Sequence, residues 1–354
     1  MEKNSRAMSR RIAYIELDTH AEILANLMKL SEGSEDFSFN FFISEKIAER
    51  LSLHHCPENV NIVKPRELLK KINSQSFDLV IIGTAHRNFN IYQKISKKNK
   101  IAIIVHNLNF SQSSGFRLFS SVFKKEQLFR LKLLFLEGLL RAPRLYQNAD
   151  FQLVLDKEIS GERQMFFPIF YRKNQGKTSQ MPLRIVVPGQ ASQQRRDYRR
   201  ILKKMEDFRL SWEFIFLGKA EGEELGWIRK AEKLLAPRLK LRFFTQKVSQ
   251  ENFDRLLNSA SVLWCPLQSE TEFFSIREIY GRTKMSGNLG DAISAGRPAI
   301  FPENYPENDY PFILRESAEV ENQLVNASAE DFSGFEFSEV RKEFIAVLSR
   351  LLAE

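Results

Sequence analysis

A chain of 354 residues with 43% hydrophobic content is long enough for about two domains, each with its own core. A formal charge of +9 points to anionic partners: nucleotide phosphates, anionic lipid or nucleic acid. Cys56 and Cys265 lie in no motif spacing, which excludes a disulfide framework or a zinc site, and neither a secretory h-region nor an apolar run of membrane-spanning length is present, so the expected compartment is the cytoplasm.

Residues 11–17 read as a first strand, followed by Asp18-Thr19-His20 and a helix over 21–30 with Ile23, Leu24, Leu27 and Met28 on one stripe. Strands at 40–44 and 60–63 alternate with helices at 47–53 and 67–72. The runs D-L-V-I-I-G (78–83) and I-A-I-I-V-H (101–106) are apolar throughout, as strands buried on both faces of a parallel sheet must be. Strand–helix alternation over 11–106 therefore predicts a doubly wound domain. Ligands of such sheets bind beyond the carboxyl ends of the strands. Three of the five histidines, His20, His86 and His106, fall at or just past predicted strand ends, which points to a functional role for at least one. His54 and His55, in a loop, read as solvated.

Residues 110–148 form a long helical region outside either sheet. Arg117, Lys124, Lys125, Arg130, Lys132, Arg141 and Arg144 stand against Glu126 and Glu137, interleaved with phenylalanine and leucine. Phe116, Phe119 and Phe123 fall on one helical stripe, the pattern of a helix lying in a lipid interface. The alternative is that the stripe packs on the first sheet and the charges face water. Residues 167–180, with Pro168, Gly176, Lys177 and Ser179, have linker composition.

The second half repeats the alternation: strands at 183–188, 212–217, 239–244 and 262–266, and helices at 193–208, 223–235 and 249–258. Residues 280–302 then read Y-G-R-T-K-M-S-G-N-L-G-D-A-I-S-A-G-R-P-A-I-F-P. A loop with Arg282 and Lys284 feeds a helix over 288–295, Gly296 stops it, and 298–301 is a buried strand. Free N–H groups at that helix start favour an anion. Asp291, placed in the first turn, would repel a phosphate unless it reaches a sugar hydroxyl; otherwise it only answers the helix dipole. An amphipathic helix over 337–352, with Val340, Phe344, Val347, Leu348 and Leu351 on one face, ends the chain.

Four segments together resemble the GT-B nucleotide-sugar-dependent glycosyltransferases, of the bacterial surface-polysaccharide type related to the family 4-like retaining group. They are V-P-G-Q-A-S-Q-Q-R-R-D-Y (187–198), N-S-A-S-V-L-W-C-P-L (258–267), D-A-I-S-A-G-R-P-A-I (291–300) and V-H-N (105–107). The similarity spans nearly the whole chain and is carried mainly by its second half. It implies an α/β protein of two doubly wound Rossmann-like domains facing a central cleft. Residues 1–170 would form the acceptor side, with the helical segment 110–148; residues 171–335 would form the donor side, and 336–354 a terminal helix.

By the same resemblance Gly189, Arg195 and Arg196 serve the donor diphosphate, and Asp291 holds the ribose. The extra stretch 269–287 carries Glu272 among its acids, and its Lys284, Ser286 and Gly287 offer a charge and backbone donors. His106 would stand beside the donor sugar, and His20 or Glu22 would be the base of an inverting reaction. There are two departures: Gln190 replaces an arginine common after the glycine, and Thr283 stands where the first of two glutamates is frequent, which leaves the stereochemistry open. The expected substrate is a nucleoside diphosphate sugar, with no metal and no separate cofactor. The expected acceptor is a saccharide or lipid-linked saccharide, with peripheral placement at the inner membrane face and no nucleic acid. A sugar-nucleotide epimerase of the same double fold is the alternative; a basic nucleic-acid binder would show aromatic and basic residues interleaved on a strand platform, or a recognition helix, whereas the basic aromatic segment here is helical and the strand aromatics read as buried.

Overall fold

The two wholly apolar runs lie side by side in a seven-stranded parallel sheet, as their composition demands. In the computed structural model, which describes residues 9–53, 55–173, 183–328 and 331–353, its strands are β1 (Arg10–Glu16), β2 (Phe37–Ile43), β3 (Val60–Ile62), β4 (Leu79–Ile82), β5 (Ile101–Ile104), β6 (Phe151–Val154) and β7 (Gln164–Phe166). The order is β3-β2-β1-β4-β5-β6-β7, with every pairing parallel. Every residue of β4 and β5 is buried. The chain winds from β1 out to β3, then returns to start the other half at β4. The loops leaving β1 and β4 thus part in opposite directions and open a crevice between them.

The second sheet repeats the plan with β8 (Arg184–Pro188), β9 (Trp212–Lys219), β10 (Leu239–Phe244), β11 (Val262–Trp264), β14 (Ala299–Phe301) and β15 (Ile313–Arg315). Between β11 and β14 the chain makes a separate two-stranded sheet of β12 (Glu270–Phe273) and β13 (Ile276–Ile279). The order β10-β9-β8-β11-β14-β15, again parallel, reverses between β8 and β11. Tyr198, Phe214, Phe216 and Trp264 belong to one buried cluster of this sheet, and Leu289, Ala292, Ile293 and Phe301 to another.

The chain divides into two compact units. One comprises Met1–Ile169, Glu272–Glu278 and Val340–Glu354; the other comprises Phe170–Thr271 and Ile279–Glu339. The terminal helix, Phe337–Ala353, buries Val340, Phe344, Leu348 and Leu351. The Phe344 ring lies 6.2 Å from that of Phe39 and 5.4 Å from that of Phe167.

Three sequence expectations need correction. The basic helix begins at Tyr198, not at residue 193, because the Asp197 carboxylate accepts from Arg200 N at 3.2 Å and caps it there. The helix of the 280–302 stretch is Gly287–Ala295, capped by Ser286, so Asp291 is its fifth residue and lies beyond the first turn. The region 110–148 is a string of short pieces: Leu108–Ser111, Gly115–Val122, Gln127–Lys132, a π turn Leu133–Glu137, a 3-10 turn Leu139–Arg141 and Ala142–Gln147. Gly138, with φ of 75°, breaks its middle. Its Phe116, Phe119 and Phe123 are exposed and do not pack on the sheet. Among the described residues no helix is long and apolar enough to cross a membrane. His54, Gly176, Lys177 and Ser179 lie outside the described residues, whereas His55 is exposed.

Candidate functional site

Each sheet reverses at one point, and the polar side chains of interest gather at those two points. In the first unit the loops leaving β1, β4 and β5 bring the three strand-end histidines together. The His20 and His106 rings stack with centroids 4.1 Å apart, and His86 lies edge-on to both at 6.5 and 5.6 Å. His106 Nε2 is 2.8 Å from the Gly83 carbonyl oxygen. A carbonyl only accepts, so Nε2 carries the proton and Nδ1 is the acceptor of the neutral ring. His20 Nδ1 is 2.9 Å from Glu22 Oε1; the carboxylate accepts, so in this ring Nδ1 carries the proton and Nε2 is the acceptor. Desolvation works against the charge on Glu22, but the hydrogen bond and charge of His20 and the charge of Arg50 hold its carboxyl below the usual range.

Beneath this cluster, at the last position of β1, lies Glu16, fully buried. Its Oε2 accepts from Thr84 Oγ1 at 2.6 Å, and its Oε1 accepts from the Asp18 and Thr19 N–H groups at 3.1 and 3.3 Å. Burial pushes its carboxyl pKa up, against the lowering effects of those bonds and of the His20 charge. Gly83 is needed here. A Cβ at that position would overlap the Tyr14 hydroxyl and stand 2.8 Å from Glu16 Oε2.

In the second unit Gly189 follows β8 with φ of 96°, a conformation that favours glycine. A Cβ there would overlap the Arg196 guanidinium, which lies across it. Arg196 NH1 donates to the Gln190 carbonyl and NH2 to Asn288 Oδ1, both at 3.3 Å, while its buried Nε has no partner among the described residues. Arg196 also bridges to Leu267, and Asp197 N donates to the Pro266 carbonyl at 2.7 Å, so the loops after β8 and β11 are stitched together. Asn288 Nδ2 donates to the Pro188 carbonyl at 3.3 Å and to Asp291 Oδ2 at 2.9 Å. One buried amide thus joins the glycine loop, the arginine and the carboxylate. Cys265 feels the same set: burial raises its thiol pKa, the Asp291 charge raises it further, and Arg196 lowers it.

The structure therefore brings together Gly189, Arg196, Ser286, Gly287 and Asp291 in one unit, and His20, Glu22 and His106 in the other. Arg195 is exposed, and its carbonyl accepts from Gln268 N at 2.9 Å. Lys284 is half-buried on a turn closed by Gly281 N donating to its carbonyl at 2.9 Å. Glu272 belongs to the first unit, whereas the other expected donor residues belong to the second; its carboxylate is 2.7 Å from Lys125 Nζ, which holds its pKa low. Sequence reasoning missed Glu16 and Asn288. An acid closing an otherwise apolar strand signals Glu16; Asn288 carries no signal, being one polar residue at a helix start. Among the described residues no group of three His, Cys, Asp or Glu side chains could hold a metal ion.

No protein-family model and no curated sequence relative matches the chain. Solved structures do. A glycosyltransferase from Rickettsia africae ESF-5 matches with a TM-score of 0.59 at 6% identity, over 98% of this chain and 99% of its own. Anabaena Alr3699/HepE in complex with UDP-glucose matches with a TM-score of 0.56 at 11% identity, over 96% and 99%. The UDP-GlcNAc 2-epimerase from Methanocaldococcus jannaschii matches with a TM-score of 0.52 at 10% identity, over 96% and 99%. At such identities the likeness establishes the fold, two Rossmann-like α/β units of the GT-B architecture.

Proposed function

We propose that this protein is a glycosyltransferase that moves a sugar from a nucleoside diphosphate sugar to a saccharide or lipid-linked acceptor in polysaccharide biosynthesis. The observation that carries the reading is Arg196: a guanidinium fixed over Gly189 with an unpartnered buried N–H, tied through Asn288 to the amino end of the helix Gly287–Ala295. Asp291, one turn further along the same helix, suits a ribose hydroxyl better than a phosphate. In the reaction the glycosidic C–O bond breaks and its electron pair stays on the diphosphate. A fixed cation and helix N–H groups aimed at that oxygen stabilise the transition state more than the ground state. The acceptor oxygen forms the new bond and loses a proton; in an inverting reaction His20, oriented by Glu22, takes it on Nε2.

Calorimetric titration with UDP and other nucleoside diphosphates tests the donor half. Loss of a charge-assisted bond amounts to about 1.5–3 kcal/mol, so Arg196→Ala should weaken binding at least tenfold. No binding by any nucleoside diphosphate would sink the reading. The neighbouring epimerase supplies the rival. UDP-glucose converted to an isomer without acceptor would favour it, and a lengthened saccharide would favour transfer.

A further inference from the structure

Eight of the twelve exposed large apolar side chains among the described residues fall between Phe116 and Leu140 of the first unit. Phe116 is 83% exposed, Leu128 87% and Phe135 78%. On the helix Gly115–Val122 the division is sharp: Leu118, Ser121 and Val122 face the protein, while Phe116 and Phe119 face outward. Phe123 continues that outward stripe, its ring 5.5 Å from that of Phe119. Soluble surfaces rarely group aromatic side chains like this without something to cover them.

The segment is anchored in this pose. Arg130 is buried, with NH1 donating to the Ser121 carbonyl at 2.6 Å and to Ser275 Oγ at 2.9 Å. Glu137 is buried too, accepting from Arg87 Nε and NH2 at 3.1 and 2.5 Å and from Asn88 N at 3.0 Å. Asn90 Nδ2 donates to the Leu136 carbonyl at 3.1 Å. The apolar face is therefore presented by a backbone tied to the body of the unit.

The exposed charges around it are mostly positive. Arg117, Lys124, Lys132, Arg141 and Arg144 are exposed, and of the segment's two acids Glu137 is buried and only Glu126 is exposed. A second copy meeting this face across a two-fold axis would set the same cations against themselves. An anionic bilayer answers both features: its acyl boundary takes the aromatic rings and its headgroups take the cations. We propose that the face formed by residues 115–144 docks the protein on an anionic membrane surface, with Phe116, Phe119 and Phe123 inserted and the flanking arginines and lysines on the headgroups. The inference goes beyond sugar transfer and does not depend on it.

Co-sedimentation with vesicles of 30% phosphatidylglycerol in phosphatidylcholine tests it, against vesicles of phosphatidylcholine alone. The protein should pellet with the anionic vesicles at low salt and stay in solution with the neutral ones. The combined substitution Phe116→Ser, Phe119→Ser and Phe123→Ser, all at exposed positions, should lower partitioning at least tenfold. Arg117→Glu with Lys132→Glu should do the same, and both variants should keep their melting temperature and nucleotide affinity. Equal binding to both vesicle types, no binding, or undiminished binding of either variant would overturn the proposal, as would a dimer in solution that the phenylalanine substitutions dissolve. No donor or acceptor enters this assay, so a protein that transfers sugar and ignores vesicles loses this inference alone.

Discussion

Asn288→Ala tests the candidate donor site from the residue that holds it together. The substitution removes three bonds at once: the acceptor for Arg196 NH2 at 3.3 Å, and the donors to the Pro188 carbonyl at 3.3 Å and to Asp291 Oδ2 at 2.9 Å. Bonds to charged groups contribute about 1.5–3 kcal/mol each and neutral ones about 1. Two of the three are long, and Arg196 and Asp291 are only half-buried and can recover some hydration. The net loss should therefore be about 2–3 kcal/mol. For a unit of this size that lowers the melting temperature by roughly 4–12 °C. Arg196, freed from its acceptor, should leave its place over Gly189, and nucleoside diphosphate affinity should drop about tenfold. Asn288→Asp keeps an acceptor for Arg196 but sets a carboxylate against Asp291, so it should lose stability and retain more affinity than the alanine variant. Thermal unfolding and calorimetric titration of both variants read the two losses separately. A lower melting temperature with unchanged affinity would show that Arg196 does not face the ligand. An unchanged melting temperature would show that the amide's bonds contribute nothing.

Glu316, almost fully buried, accepts from Arg200 NH1 at 2.7 Å, from Trp264 Nε1 at 3.2 Å and from Lys204 Nζ. Glu316→Ala should cost about 3 kcal/mol in chemical denaturation, the low end for a broken buried pair because both cations are about one-third exposed, and Glu316→Gln should cost less. Glu16 has its native pKa raised by burial, so the folded protein keeps that proton at pH values where the unfolded chain has lost it. Its contribution is then fully present below the ordinary glutamate pKa and is lost as pH rises through the native value. The stability of Glu16→Gln relative to the parent should accordingly climb as pH rises above the ordinary glutamate pKa of about 4, and parallel melting profiles of the two proteins as pH rises would refute this. His106→Ala should lower turnover with little change in nucleotide affinity; equal loss of both would assign the imidazole, bonded to the Gly83 carbonyl at 2.8 Å, to structure alone.

The first sheet was readable from the chain because strands buried on two faces need apolar side chains along their length, as D-L-V-I-I-G and I-A-I-I-V-H have. The histidines were readable for a related reason, since polar residues appear abruptly where such strands end. Helix starts were less legible. Residues 193–197 continue a basic, helix-compatible run, and only the bond from Arg200 N to the Asp197 side chain decides where the helix begins. The region 110–148 shows leucine, phenylalanine and lysine at helical spacing throughout, yet Gly138 breaks it and the buried polar anchors Arg130 and Glu137 shape it. Those anchors answer to partners far away in the chain, Ser275 and Arg87, which no local pattern reveals. Asn288 was hidden likewise, its meaning lying in Pro188 and Arg196, about a hundred positions earlier.

The segment Glu272–Glu278 carries a consequence for how the protein is made. Glu278, fully buried, accepts from the Phe110 and Asn109 N–H groups at 2.8 and 3.3 Å, and Phe344 packs beside Phe39 and Phe167. A ribosome that has released residues up to Ile169 has therefore supplied only part of the first unit. Its missing pieces emerge after most of the second unit, and the last of them, Val340–Glu354, after all of it. The first unit to be started is the last to be finished. A truncated chain ending at Ile169 should leave Phe39 and Phe167 without their terminal-helix cover and should aggregate, and it would need the late segments supplied in trans to stay in solution.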